Sequence, residues 1–506
     1  MNDGGAGASA DVCLVLEGTY PYVAGGVSSW THDLIGAHPE LRFHLLTLMA
    51  PNADLDRRYE IPANVVGSTL VALQELPPGR RPWRGHRALI DALEAPLADL
   101  LSDGGLAAFA RIESLLGAHR AALGQGLLLD SKAAWDLLLR MYQRGFPDSS
   151  FLDYFWSWRA LLGGLYSVLL GPLPRARLYH TVSTGYAGLY AARAQLARGR
   201  PALVTEHGIY TNERRIEIAM ADWLYELPLV GLGIEQGTPD LKDFWIQAFE
   251  GYSLACYQAC ARIVTLYEGN QRFQLADGAE RDKLMVIPNG IDYPRYSSIG
   301  RDPAPRRPRI ALIGRVVPIK DIKTFIRACA MLRVHVPDLE ALVMGPTDED
   351  PAYFAECEGL VARLGLTDCV AFPGRVRLDD HLGRIDVIVL TSISEAQPLV
   401  LLEAGAAGIP SVATDVGACR EILLGRGDED PPLGPGGTLT RLSDPEATAL
   451  GVERLLKERE WYARCAGAIR ERVRRYYQAS QVNRAYAALY DGLLAAPDRR
   501  ALEPAA

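Results

Sequence analysis

Two glutamates eight residues apart, Glu395 and Glu403, bracket the segment Ser394-Glu395-Ala396-Gln397-Pro398-Leu399-Val400-Leu401-Leu402-Glu403. They follow the apolar run Ile385-Asp386-Val387-Ile388-Val389-Leu390, which reads as a buried strand. Glu395 therefore falls on the loop leaving a strand, and Pro398 suits the first turn of the next helix. Glu403 lies inside that helix, and Gly405 to Pro410 ends it before another strand, Ser411 to Thr414. A carboxylate at the carboxyl end of a strand, beside exposed helix N–H groups, is where open α/β sheets bind nucleotides and phosphates. One acid can face a sugar while the other reaches a ribose diol. In the turn Gln397, Pro398, Leu399, Val400, the free N–H groups of Gln397, Leu399 and Val400 can hold phosphate or sugar oxygens, Pro398 having none. The alternative is a solvated Glu and a helix-surface Glu; the strand-loop-helix context favours the site.

Lysine is scarce, present only as Lys132, Lys242, Lys283, Lys320, Lys323 and Lys457. Against that arginine-rich background Lys320, close to Arg315, reads as a point-charge phosphate ligand. A solvated loop lysine is the alternative, and Lys323 reads as one. Arg315 and Lys320 follow the strand Ile310 to Ile313 and precede a helix, so both can reach phosphate at the strand end. Loss of a diphosphate from a nucleotide sugar leaves negative charge that fixed cations stabilise. Asp348 and Asp350 read as turn and helix-capping residues, and no metal is expected. In the N-terminal half, Gly25 and Gly26 permit close backbone approach to a diphosphate or acceptor, or form a flexible turn. His207 can meet the acceptor or be an ordinary packed histidine. Tyr20, Tyr22 and Trp30 can stack on sugars or pack in the core.

The Glu-x7-Glu segment resembles the motif of retaining glycosyltransferases with the GT-B fold, glycosyltransferase family 4. Within that family the chain is similar to the PelF type, the cytosolic enzyme of Pel exopolysaccharide synthesis. The similarity runs through Glu17-Gly18-Thr19-Tyr20-Pro21-Tyr22-Val23-Ala24-Gly25-Gly26-Val27-Ser28-Ser29-Trp30, then Glu206-His207-Gly208-Ile209-Tyr210-Thr211, then Gly314-Arg315-Val316-Val317-Pro318-Ile319-Lys320-Asp321. The resemblance implies retaining, metal-independent transfer of a hexose or N-acetylhexosamine. The donor is a UDP-sugar, the acceptor is a growing polysaccharide, and no cofactor is involved. It also implies roles for residues. Arg315 and Lys320 bind the diphosphate, Glu395 contacts the donor sugar and Glu403 the ribose. Backbone near Arg375 and Val376 reads the uracil, and His180 lies near the donor sugar. A membrane-embedded Pel synthase complex is the implied partner.

At 506 residues the chain exceeds one ordinary core, so two domains are expected. A hydrophobic content of 49% with 23% charged residues describes a soluble globular enzyme. The net charge of -8 argues against nucleic acid as a partner. The start lacks a basic-then-apolar signal pattern. The longest uncharged apolar stretch, Leu161 to Pro174, is shorter than the ~20 residues that span a bilayer and reads as a buried helix. A cytoplasmic protein recruited to the inner face of a membrane is the resulting expectation. The eight cysteines, Cys256 and Cys260 on one helical face among them, show no metal spacing and read as reduced structural thiols.

The elements alternate as an α/β chain of two Rossmann-like domains facing a cleft. Strands are predicted at 11–16, 43–48, 178–180, 202–206, 262–266, 310–313, 341–344, 369–372, 387–390 and 411–414. Residues 1–298 form an acceptor-side domain with a helical insertion at about 70–170, assigned to partner or acceptor contacts. Ile287 to Asp292 closes that domain, and Arg301 to Arg309 is an interdomain linker. Residues 299–472 bind the nucleotide sugar, and 473–506 form a helix crossing back to the first domain. Ile322, Phe325, Ile326, Cys329 and Leu332 recur on one face of a predicted helix. A dinucleotide dehydrogenase is disfavoured, because Gly4, Gly5 and Gly7 precede the first strand instead of following it. A nucleotide-sugar epimerase of the same architecture, or a sugar-nucleotide-binding subunit of a membrane synthase, remain as alternatives.

Overall fold

The computed structural model describes residues 10–80, 83–219, 241–302 and 306–495, which divide into two compact units. The first comprises residues up to Val286 and again from Tyr486; the second runs from Ile287 to Ala485. In the first, strands β1 (Ala10–Glu17), β2 (Phe43–Met49), β3 (Val65–Ala72), β4 (Ala176–Thr181), β5 (Ala202–Glu206), β6 (Arg262–Thr265) and β7 (Leu284–Val286) form one parallel sheet in the order β3-β2-β1-β4-β5-β6-β7. Central β1 is apolar without alternation and Val12 to Leu16 are wholly buried, as helices on both faces of a parallel sheet require. The second unit holds β8 (Arg309–Ile313), β9 (Glu340–Met344), β10 (Val370–Gly374), β11 (Val387–Leu390), β12 (Ser411–Thr414) and β13 (Gly437–Thr440), ordered β10-β9-β8-β11-β12-β13. These are two Rossmann-like domains, as the alternation of elements predicts.

The strands β3, β7 and β13 are additions to the sequence reading. The first is an edge strand whose residues alternate in exposure, and the other two are three and four residues long. None shows the buried apolar run that marks the inner strands. The helical insertion lies between β3 and β4, with helices at His86–Ala92, Glu94–Leu100, Gly105–Gly117, Gln125–Leu128, Lys132–Gly145 and Phe151–Leu170. Its apolar faces share one core with the helix Leu241–Ala259: Leu97, Ile112, Leu137 and Leu165 belong to the same cluster as Phe244 and Tyr252. The insertion is thus part of the first domain's own core.

Three boundaries differ from expectation. The first unit ends at Val286, so Ile287 to Asp292 belongs to the second instead of closing the first. The Ile291 N–H donates to Tyr477 O (2.9 Å) and its carbonyl accepts from Ala479 N (2.9 Å), which ties this segment to the C-terminal end of the second unit. Arg301 and Arg306 do not link domains; both clamp Asp386, at 2.7 Å each, at the start of β11. Part of that stretch, 303–305, lies outside the described residues, as do the start of the chain and the end beyond 495. The return to the first unit occurs at Tyr486, within the helix Ala479–Ala495, and not at 473. Val473 is still buried in the second unit, on the helix Arg459–Tyr476.

Arg472, fully buried on that helix, explains why it stays. Its guanidinium donates to both oxygens of Glu429 (2.6 and 2.9 Å) and to the carbonyls of Ile422, Leu423 and Gly434. Removing one member of a buried, fully hydrogen-bonded ion pair strands the other in low dielectric. Arg472→Met is expected to cost about 3–5 kcal/mol of stability. Arg472→Met with Glu429→Leu should recover much of it; denaturant unfolding followed by tryptophan fluorescence reads the difference.

Candidate functional site

The second domain gathers its polar side chains at the carboxyl ends of its strands. After β8 the chain passes Gly314 and Arg315 and makes a tight 3-10 turn, Pro318–Lys320. Asp321 caps the following helix, Ile322–His335, accepting from Thr324 N. The buried face of that helix carries Ile322, Phe325, Ile326, Cys329 and Leu332, as predicted. The turn is fastened to the exit of β11: Thr391 Oγ1 donates to the carbonyls of Lys320 (3.0 Å) and Asp321 (2.9 Å), and Ile393 N to Ile319 O (2.8 Å). These bonds bring Lys320 to Glu395. Lys320 Nζ lies 2.5 Å from Glu395 Oε1, which also accepts from Ser392 Oγ at 2.6 Å. Both partners of the pair are largely buried. Glu395 Oε2 has no partner among the described residues.

Gly417 sets the far wall of this loop. Its φ is +53°, and a Cβ there would lie 2.1 Å from Glu395 O, so only glycine fits both the conformation and the approach. Ala418 N then donates to Ala396 O (2.8 Å) and fixes the segment. The helix begins one residue later than expected, at Leu399, with Pro398 as its cap instead of a member of the first turn. The N–H groups of Leu399 and Val400 find no acceptor among the described residues, as the first groups of a helix do. The Gln397 side chain turns inward, accepting from Asn289 N at 2.7 Å, so only its backbone faces the loop. Glu403 accepts from Tyr296 Oη at 3.0 Å, and burial pushes its carboxyl pKa up.

Arg315 stands apart from Lys320, paired with Glu349 at 2.8 Å on an exposed surface. It lines a pocket of about 250 Å³ with Gly314, Gly345, Arg375, Val376 and Leu378, at the ends of β8, β9 and β10. Gly314 connects the two regions, since it also lies beside the Lys320 alkyl chain. Asp350 caps the helix Pro351–Arg363, the role read for it from sequence.

In the first domain the helix Gly26–Ala37 starts straight after the Gly25 cap. A Cβ at Gly25 or Gly26 would meet nothing within 4 Å, so packing does not demand either glycine. His180, expected near the donor sugar, lies inside the domain. It is wholly buried, Nδ1 bonded to Tyr490 Oη (2.7 Å) and Nε2 to Thr205 Oγ1 (2.9 Å), and burial pulls its pKa down to about 3. His207 is more open. Its ring sits edge-on to Trp30 with centroids 4.5 Å apart, and its Nε2 has no partner among the described residues. It lines a 400 Å³ pocket with Glu17, Thr19, Tyr210, Glu213 and Arg214. Tyr22 is half-buried on the turn after β1 and is not on the pocket wall. Tyr20 is buried against His32 and Tyr59, which settles it as a packing residue. The sequence reading passed over Glu17, although it ends a strand as Glu395 follows one; the same signal would have found it.

Residues 10–282 match the family described as Domain of unknown function (DUF3492), more than half of the chain. The chain belongs to that family. Residues 307–458 match the family described as Glycosyl transferases group 1, which covers the strand ends just described in the second domain. Among curated relatives, the D-inositol 3-phosphate glycosyltransferase of Streptomyces griseus is 33% identical over 208 residues, 38% of this chain and 42% of that protein. The lipopolysaccharide core biosynthesis mannosyltransferase LpsB of Rhizobium meliloti is 29% identical over 221 residues, 41% of this chain and 61% of that protein. The chain spans about half the length of these relatives. The whole fold is shared with HepE of Anabaena, solved in complex with UDP (TM-score 0.59, 14% identity, 95% of this chain and 100% of that one). Sucrose-phosphate synthase of Thermosynechococcus elongatus gives a TM-score of 0.58 at 16% identity, over 96% of this chain and 100% of that one.

The enclosure of His180 has a pH signature. Its pKa is depressed in the fold, so between about pH 3 and the unfolded value of about 6.5 the unfolded chain binds the extra proton. Stability from this group is complete above pH 6.5 and is lost as pH falls, by about 1.4 kcal/mol per unit. Buried Glu206, with its pKa pushed up to about 7 by desolvation, works in the opposite sense. The difference between the native chain and His180→Gln, in unfolding free energy from pH 7 to 4.5, isolates the histidine. The native chain should lose stability faster than the variant.

Proposed function

We propose that the chain is a retaining glycosyltransferase of the PelF type. It moves a hexosyl or N-acetylhexosaminyl group from a UDP-sugar to a growing exopolysaccharide. The observation that carries this reading is the Lys320–Glu395 pair, pinned at the strand ends of a domain that matches group 1 glycosyl transferases. The chemistry follows from its geometry. As the anomeric C–O bond breaks, its electron pair passes to the diphosphate, whose charge Lys320 and Arg315 stabilise without a metal. Leu399 and Val400 offer two more N–H groups at a helix start. The acceptor hydroxyl forms the new C–O bond on the same face, so configuration is retained, and its proton goes to a departing phosphate oxygen. Glu395 keeps one oxygen on Lys320 and Ser392 and turns the other to a donor-sugar hydroxyl. Glu403 holds the ribose with the oxygen that Tyr296 does not occupy. The pocket of Arg315, Arg375 and Val376 takes the base, and the binding of UDP by HepE supports uracil there.

Gly25 and Gly26, which packing does not require, leave room for a phosphate or acceptor. His180 acts from beneath as a support and not as a group that touches sugar. No helix among the described residues is long and apolar enough to cross a membrane. A partner membrane synthase would supply export, and exposed Leu152 and Trp156 on the insertion are the surface offered to it.

Calorimetry with UDP, ADP and GDP tests the donor. UDP should bind tightest, and a preference for ADP or GDP overturns the assignment. Single charged hydrogen bonds are worth roughly 1.5–3 kcal/mol, so Arg315→Ala and Lys320→Ala should each weaken UDP binding about tenfold or more. Glu395→Ala should abolish transfer and leave UDP affinity largely intact. Unchanged UDP affinity in a folded Arg315→Ala/Lys320→Ala variant would sink the site.

A further inference from the structure

We propose that a pocket at the amino ends of β8 and β11, on the sheet edge opposite Lys320 and Glu395, binds a small phosphomonoester with an apolar or planar body. None of the groups assigned to the sugar donor lines it. The pocket encloses about 540 Å³, within the size range of small-molecule sites. Asp386 immediately precedes β11, Leu455 and Leu456 come from the last turn of the helix Pro445–Lys457, and Arg459 and Tyr462 open the helix Arg459–Tyr476.

The charge balance of the wall is positive. Arg301 and Arg306 share a single carboxylate: Asp386 accepts from Arg301 at 2.7 Å, from Arg306 at 2.7 and 2.8 Å, and from Arg309 N at 2.8 Å. The other wall acid, Asp302, is matched by Arg384 at 3.0 Å. Arg459 is exposed and has no ion-pair partner among the described residues, because the acids beside it are taken by others, Glu458 by Arg454 at 3.2 Å and Glu460 by Arg464 at 4.0 Å. Four arginines thus face two aspartates, a surplus of two positive charges. A phosphomonoester carries ~1.5–2 negative charges at neutral pH, and guanidinium forks match its oxygens.

Tyr462 adds a donor. Its Oη is buried without a partner among the described residues, an orphan that a phosphate oxygen would satisfy. Burial pushes its pKa up, so the phenol keeps its proton. The Tyr462 ring, Leu455 and Leu456 form an apolar part of the same wall. A bare phosphate ion leaves that part uncovered, whereas an organic body removes it from water.

Calorimetry on the full chain at pH 7.5 tests this with phenyl phosphate, inorganic phosphate and benzoate. Phenyl phosphate should bind tightest. Inorganic phosphate, which lacks the ring, and benzoate, which lacks the second charge, should each be roughly tenfold weaker. Arg459→Ala, which breaks no ion pair, should weaken phenyl phosphate about tenfold or more, and Tyr462→Phe, which keeps the ring, about fivefold. Arg315→Ala/Lys320→Ala, at the opposite edge of the sheet, should leave its affinity unchanged. No binding of phenyl phosphate, an affinity no better than that of inorganic phosphate or benzoate, or an unchanged affinity in a folded Arg459→Ala variant overturns the proposal. Weakening in the Arg315→Ala/Lys320→Ala variant also overturns it, by moving the ion to the donor end of the strands. A failure of UDP to bind, by contrast, defeats the glycosyltransferase reading and leaves this pocket untouched.

Discussion

Parallel strand pairing is the constraint from which the rest follows. In a parallel sheet all strands point one way, so the loops leaving their carboxyl ends emerge on one edge, and side chains distant in sequence meet there. In the second domain this edge joins the turn after β8 to the loop after β11 through the Thr391 and Ile393 bonds, and the Lys320–Glu395 contact results. In the first domain the same geometry brings Glu17, from β1, against Ser183 beyond β4 and Tyr210 beyond β5. The crossovers are covered by helices, which lets the strands be apolar on both faces. All the chemistry is left to the edge.

Beneath each edge lies a layer of buried polar groups that hold the loops still. In the second domain it includes the Thr414 hydroxyl on Ser392 O (2.6 Å) and the Gly417 approach to Glu395. In the first it is His180 between Tyr490 and Thr205, with Glu206 accepting from Tyr257 Oη (2.6 Å) and Gln274 Nε2 (2.8 Å). Buried polar groups cost stability unless bonded, and the groups named above are held by protein partners. The exceptions on the pocket side, Thr19 Oγ1, His207 Nε2 and Arg214 Nε, therefore stand out.

Much of the fold was legible in the sequence, because inner strands such as β1, β11 and β12 are short apolar runs bounded by turn residues. The helix Ile322–His335 was equally plain from its one-faced spacing. Edge strand β3 was not, since half its residues face solvent and carry no apolar run. The domain boundaries were misplaced for a related reason. Composition marks 301–309 as a linker, but Arg301 and Arg306 are held by Asp386, a partner far away in sequence. Lys320, Glu395 and His207, chosen for their strand-end positions, do lie just past strand ends, while His180 shares that position and is sealed below the surface. Sequence gives the strand end, but only packing tells which side of the sheet edge a side chain takes. Gly417 and Ser392 went unread because their roles depend on backbone approach and on a single acceptor oxygen.

The helix Ala479–Ala495 gives the chain an unusual order of assembly. Tyr486 and Tyr490 complete the bonding of Thr205 and His180, yet they are separated in sequence from the rest of the first domain by the whole second domain. During synthesis, residues up to Val286 emerge while these tyrosines are still unmade. Until this helix arrives, the floor of the first domain holds a histidine with one open nitrogen, Nδ1, near the aromatic rings of Trp30 and Phe43 that Tyr486 and Tyr490 will cover. The nascent first domain is therefore an unsealed intermediate. Its final closure waits on contacts of very long sequence separation, such as Trp30 with Tyr486 and His38 with Tyr490, which are a slow kind to form.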